Sequence, residues 1–255
     1  MTHKLINPSV AAPLFANWEE TIIWSCLQGI MGKIYVDYLE HPAVAMAILG
    51  DFSFYAGNPS EELVSYKPDW CTQDSLIMTP QNDAWKDLIV QVYKDKAEIV
   101  TRYTIKKEPD VFDKSKLERV VSSLPNGYKI RMIDEQLYHT CKSEPWSTDL
   151  VSSFVGYEDY SQLGLGAVIL KDNVIVSGAS SYSRYREGIE IEIDTREDYR
   201  QKGLAYACGA KLILECLKRD LYPSWDAQNK ISVALAEKLG YHYSHAYTAI
   251  EIWGF

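Results

Sequence analysis

The sequence predicts an α/β chain with mixed, α+β-type sheets, divided into two domains, 1–125 and 126–255. Two observations carry this. Helical and strand periodicities interleave along the whole length, which calls for sheets covered by helices. The cluster Pro125-Asn126-Gly127 is the clearest turn signal between two such cycles and marks the boundary.

In the first cycle, "PLFANWEETIIWSCLQGIMG" (13–32) places Trp18, Ile22 and Cys26 on one helical stripe. Strand patterns follow in "KIYVDYL" and "AVAMAILGDFSFYAG", broken at His41-Pro42. A helix is expected over 82–94, capped by Asn82 or Asp83. "AEIVTRYTI" then reads as a strand and "DKSKLERVVSSL" as a helix. This strand-and-helix content hints at a degenerate copy of the second domain.

From Gly127 the order is strand, two helices, three strands, helix, strand, helix, two strands. "YKIRMI" is the first strand, with helices over 134–141 and through most of "STDLVSSFVGYEDY". "LGAVILK", "VIVSGASSYSRY" and "GIEIEIDT" are the three strands, with Asp172-Asn173 as a tight turn between the first two. A helix spans 203–218, then come "LYPSWDA", a helix over 229–239, and the closing strands "YHYS" and "YTAIEIW".

Composition bounds the function. With 47% hydrophobic and 24% charged residues, the chain can bury a substantial core. A net charge of −9 weighs against nucleic acid or an anionic membrane surface as partner, because both reward a basic face. Cys26, Cys71, Cys141, Cys208 and Cys216 are scattered without a CxxC pair, so reduced thiols are expected and structural zinc is not. No metal site is expected: His242 and His245 sit at an odd spacing that sends their rings to opposite faces of a strand. The first residues lack an apolar signal core and no run of about 18 apolar residues follows, which predicts a cytoplasmic protein.

One segment carries the chemistry. "RQKGLA" (200–205) lies between the strand "GIEIEIDT" and a long helix. A helix start offers unpaired N–H groups and a positive dipole end. Gly203 lets a bulky ligand approach the backbone, Ala205 is nearly as small, and Arg200 and Lys202 add positive charge. The turn suits a pyrophosphate.

"DYRQKGLA" after "IEIEIDT" resembles the acetyl-CoA signature of the GCN5-related N-acetyltransferases, Arg/Gln-x-x-Gly-x-Gly/Ala. "SWDAQNKISVALAEKLGY" (224–241) resembles that superfamily's second motif. The phrasing is further similar to a subgroup akin to the zwittermicin A resistance acetyltransferase. The resemblance implies an acetyl-CoA co-substrate. Its pyrophosphate would lie on the amides of Gln201, Lys202, Gly203, Leu204 and Ala205. Its pantetheine arm would pair with Ile193, Asp194 and Thr195, and would also meet Asn229 and Ser232. In a plainer reading Asn229 caps its helix.

Glu190 and Glu192 alternate with isoleucines, so both carboxylates face one side, roughly 7 Å apart. In the resembling fold that strand lies beside the acetyl group. The pair is therefore the candidate catalytic base or amine-attracting site for a small-molecule amine acceptor. Many relatives carry a tyrosine seven residues after the Asn as general acid; Ala236 stands there, and Tyr241, Tyr243 and Tyr247 are not separable in sequence. A CoA-binding sensor without catalysis is the alternative. The N-terminal domain would help shape the acceptor pocket.

Overall fold

A computed structural model describes residues 1–255 and resolves two compact units. Unit 1 is Met1–Arg102 with Ala246–Phe255, and unit 2 is Tyr103–His245. This division does not fall at Asn126. The helix ahead of that turn belongs to unit 2, because its Leu117 is fully buried in the core of that unit.

Unit 1 begins with β1 (His3–Lys4), a 3-10 stretch over Pro8–Phe15 and helix α1 (Thr21–Leu27). The single helix expected over 13–32 is thus interrupted. Asn17 takes a left-handed φ of 65°, and Gly29, at φ 68°, lies just past the other end of α1. Strands β2 (Lys33–Val36), β3 (Val44–Leu49) and β4 (Phe52–Gly57) form an antiparallel meander with β1. Then come helix α2 (Glu61–Val64), strand β5 (Ser75–Pro80), helix α3 (Asp83–Tyr93) and strand β6 (Ala97–Ile105). The Asn82 side chain caps α3, accepting from Trp85 N at 3.2 Å. β5 runs parallel to β4 and antiparallel to the end of the chain, where Ile250 pairs with Met78 and Ile252 with Leu76. Met46, Ile48, Tyr55, Trp85, Ile250 and Ile252 build the core.

Unit 2 takes in the end of β6 and helix α4 (Lys114–Ser122). Strand β7 (Tyr128–Met132) and helices α5 (Glu135–Ser143) and α6 (Tyr157–Leu163) follow. "STDLVSSFVGYEDY" contributes only a 3-10 turn at Thr148–Leu150 and the start of α6. Strands β8 (Gly166–Lys171), β9 (Val174–Tyr185) and β10 (Gly188–Thr195) form the expected meander. Asp172 and Asn173 turn between the first two with φ 51° and 64°. Helix α7 (Leu204–Leu217), strands β11 (Tyr222–Ser224) and β12 (Asp226–Ala227), and helix α8 (Lys230–Leu239) follow. A single strand, β13 (Tyr243–Trp253), replaces the two expected at the end and passes from unit 2 into unit 1.

The main sheet of unit 2 runs β7-β8-β9-β10-β11. Ile189, Ile191 and Ile193 pack towards α7 with Leu204, Cys208, Leu212 and Ile213. Gly209 permits the close approach: a Cβ there would sit 2.8 Å from Leu239 and 3.3 Å from Ile193. On the other face Leu150 lies over Gly178, and Tyr160 bonds Ser180 at 2.9 Å. Both units share one element order: strand, helical segment, three strands, helix, strand, helix, strand. In each, the strand before the middle helix pairs parallel with the strand after it, β4 with β5 and β10 with β11. All five cysteines are free and buried. No helix is long and apolar enough to cross a membrane.

Candidate active site

The site grows from a strand that loses a neighbour halfway. β10 pairs with β9 over its whole length, from Gly188 to Thr195. It pairs with β11 only at Gly188, Ile189 and Glu190, opposite Tyr222, Pro223 and Ser224. After Ser224 the chain turns at Trp225, and Asp226 and Ala227 pair instead with Thr104 and Tyr103 of β6. Ile191 to Thr195 therefore have no strand partner on the β11 side. An exposed row of backbone donors and acceptors is a template for an extended, amide-bearing ligand.

That edge leads straight into the expected cradle. After Thr195 a 3-10 turn (Glu197–Tyr199) carries the chain to Arg200. Gln201 and Gly203 then take left-handed φ values of 60° and 75°, and α7 begins. Asn82, Asp113, Asp134 and Asn229 close the N-termini of α3, α4, α5 and α8 with side-chain bonds; α7 has no such cap. Its first-turn amides are left for water or an anion. A Cβ built on Gly203 meets nothing within 4 Å, so the approach is open. Arg200 donates from Nε to the Thr195 carbonyl at 3.2 Å, and Lys202 donates to the Asp198 carbonyl at 2.7 Å while lying 4.4 Å over the Tyr199 ring. Both cations are thereby held at the loop.

Glu190 is buried, with 8% of its surface exposed, and Glu192 is half-buried. Their neighbours Ile189, Ile191 and Ile193 point to the α7 core, which puts the two carboxylates on the opposite face, as the alternation predicts. Glu190 stands opposite Ser224, whose hydroxyl bonds the Tyr185 hydroxyl at 2.9 Å. Burial pushes the phenols of Tyr185, Tyr222 and Tyr241 up, and the charge of Glu190 adds to the effect at all three. Asp194 is also raised, by burial first and then by Asp149, against the Thr195 amide bonded at 2.6 Å and the charge of Arg200.

In the second motif the side-chain oxygens of Asn229 and Ser232 both accept hydrogen bonds from within the protein. The Asn229 side chain accepts from Ile231 N and Ser232 N, both at 3.0 Å, so its carbonyl oxygen serves as the helix cap. Ser232 Oγ accepts from the Trp225 indole at 3.0 Å. Of the three tyrosines left open in sequence, Tyr241 is buried and donates to the Pro223 carbonyl at 2.6 Å, a structural bond; Tyr243 is exposed and Tyr247 half-buried. Tyr185 and Ser224 beside Glu190 escaped sequence reasoning. The serines of "SSYSRY" and "YPSW" carry no signal until the strands pair. His242 bonds Glu108 at 2.6 Å, and no three His, Cys, Asp or Glu side chains gather to hold a metal.

Across residues 12–250 the sequence matches the family described as GNAT acetyltransferase. The chain belongs to that family. An uncharacterized N-acetyltransferase of Bacillus subtilis (strain 168), YdfB, is 28% identical over 252 residues, 89% of this chain and 88% of its own. A GCN5-related N-acetyltransferase-like protein from Streptococcus suis 89/1591 is 49% identical, with a TM-score of 0.89 over 97% of this chain and 98% of that one. A GCN5-related N-acetyltransferase from Sphaerobacter thermophilus shares the fold, with a TM-score of 0.56 at 14% identity over 99% of this chain and 95% of that one. GNAT enzymes use acetyl-CoA as co-substrate. The uncapped α7 terminus, the open space at Gly203 and the half-paired β10 fit such a molecule in unit 2.

Proposed function

We propose that this GNAT protein transfers an acetyl group from acetyl-CoA to the amine of a small molecule by direct attack. The single observation that supports it best is the end of the β10–β11 pairing at Glu190, beside the uncapped N-terminus of α7. The diphosphate belongs at the amides of 201–205 and the pantetheine arm along Ile193 to Thr195. The acetyl group then lies near Glu190, where the strands part.

In this reading Glu190 or Glu192 takes the proton from the acceptor ammonium, directly or through a water. The amine nitrogen attacks the thioester carbonyl, the C–N bond forms, the C–S bond breaks, and the CoA thiolate leaves and is protonated. A backbone N–H of β10 stabilises charge on the carbonyl oxygen. No enzyme-bound acyl group is needed. The buried, unpaired cysteines support a reducing, cytoplasmic setting. The motif phrasing supports an aminopolyol antibiotic of the zwittermicin type as the first acceptor to try. The test is consumption of acetyl-CoA against a panel of amines. Binding of acetyl-CoA with no turnover on any amine would favour a cofactor sensor instead.

A further inference from the structure

We infer that Trp225 is a positioning residue: clamped between α8 and Tyr241, it keeps β12 away from β10 and so holds open the edge on which the cofactor arm lies. The inference rests on the acetyl-CoA reading above. The chain changes sheets within one residue. Ser224 pairs with Glu190 of β10, and Asp226 pairs with Thr104 of β6. Trp225 is the residue between them, and only 6% of its surface is exposed.

Two contacts fix its ring. The indole N–H donates to Ser232 Oγ at 3.0 Å, and the ring meets Tyr241 edge-on, with centroids 5.5 Å apart at 68°. Each partner is itself anchored. Ser232 donates its backbone N–H to the Asn229 cap, and Tyr241 donates its hydroxyl to the Pro223 carbonyl at 2.6 Å, one residue before Ser224. The clamp therefore ties the last turn of the β11 ladder to the first turn of α8.

The alternative for this segment is clear. An unpaired strand edge is a strong template, and a chain already in register at Glu190 would gain bonds by continuing along Ile191 and Ile193. That continuation would close the slot. It would require Trp225 to swing out, stripping a buried indole N–H of its acceptor and an aromatic face of its partner. Ser232 then acts on the cofactor through Trp225.

The test compares coenzyme A with adenosine 3′,5′-diphosphate, which carries the nucleotide end without the arm, by displacement titration on the full chain. Trp225→Phe keeps a ring against Tyr241 and removes the N–H; Ser232→Ala removes the acceptor. Each should weaken coenzyme A about tenfold, and the double variant no more than the worse single one, as expected for one shared bond. Adenosine 3′,5′-diphosphate should stay within about twofold of wild type. Equal weakening of both ligands, additive losses, or a loss in Ser232→Ala without one in Trp225→Phe would overturn the clamp; the last outcome would make Ser232 a direct ligand. Unchanged coenzyme A affinity in both folded variants would overturn it too. Wild-type protein that does not bind coenzyme A would remove the acetyl-CoA reading, and the clamp's purpose with it.

Discussion

Glu190 and Ser224 are the last residues to face each other across the parallel β10–β11 pair, and beyond them the β11 ladder stops. A buried carboxylate thus stands at the point where a strand edge opens. If Glu190 is the base, Glu190→Gln should leave coenzyme A affinity unchanged and lower kcat by about 10²-fold or more. The rate should partly recover at high pH, where the acceptor amine is already neutral. Glu192→Gln should raise KM with little change in kcat if that carboxylate attracts the cationic acceptor. Full activity with unmoved KM in both variants would exclude the pair from the reaction.

Gly203 makes a second test. Its φ of +75° disfavours any other residue, while the space beyond its Cα is open. Gly203→Val should fold, at a cost of roughly 1–3 kcal/mol in backbone strain seen as a lower Tm. Its coenzyme A affinity should fall at least about tenfold by calorimetry. A folded variant that binds as wild type does would place the diphosphate elsewhere.

Unit 1 repeats the element order of unit 2 without its opening. β4 stays paired with β5 as far as Tyr55 and Pro80, the Gly57 amide is taken by the Gln81 side chain at 3.0 Å, and Ser60 caps the short α2. Where unit 2 leaves five residues of β10 beyond the β11 ladder and starts α7 without a side-chain cap, the matching strand of unit 1 extends only two residues past its ladder and the matching helix is capped. Calorimetric titration should find a single equivalent of coenzyme A per chain. Two equivalents of similar affinity would contradict this reading.

Glu215 offers a test of stability. Burial alone would raise its carboxyl, but hydrogen bonds from Lys211, Arg219 and Lys218 outweigh it and hold the value at about 2, below the ordinary 4.5. A depressed folded value stabilises above the unfolded pKa, and that stability is lost as pH falls from about 4.5 through about 2. Lys218 and Arg219 are well exposed, so the screened contribution is on the order of 1–2 kcal/mol. Glu215→Gln should lower Tm at pH 7, with the gap to wild type closing below pH ~4. A gap independent of pH would mean that packing, not charge, is what the carboxylate supplies.

What was legible in the sequence was local. "RQKGLA" is readable because a glycine with a left-handed φ at a helix start is a demand of a few adjacent residues. The alternation in "GIEIEIDT" is readable because period two fixes faces without reference to the rest of the chain. Asp172-Asn173 signals its own turn. The missed elements depend on distant partners. β5 is a strand because it fits between β4 and the chain's end, and the helix expected through "STDLVSSFV" yields to a 3-10 turn that lays Leu150 over Gly178. The opening at Ile191 is least legible of all. It is set by where β11 stops, and that depends on Trp225 finding Ser232 and on β6 receiving Asp226.

The composition of unit 1 bears on how the chain is made. Its sheet and core include Ile250 and Ile252, which are synthesised after the whole of unit 2. During vectorial synthesis, Met1–Arg102 must wait with the flank of β5 uncovered until Ala246–Phe255 has left the ribosome. The N-terminal unit is thus completed only after all of unit 2 has been made, and loss of Ala246–Phe255 would injure the first hundred or so residues more than those just before that segment.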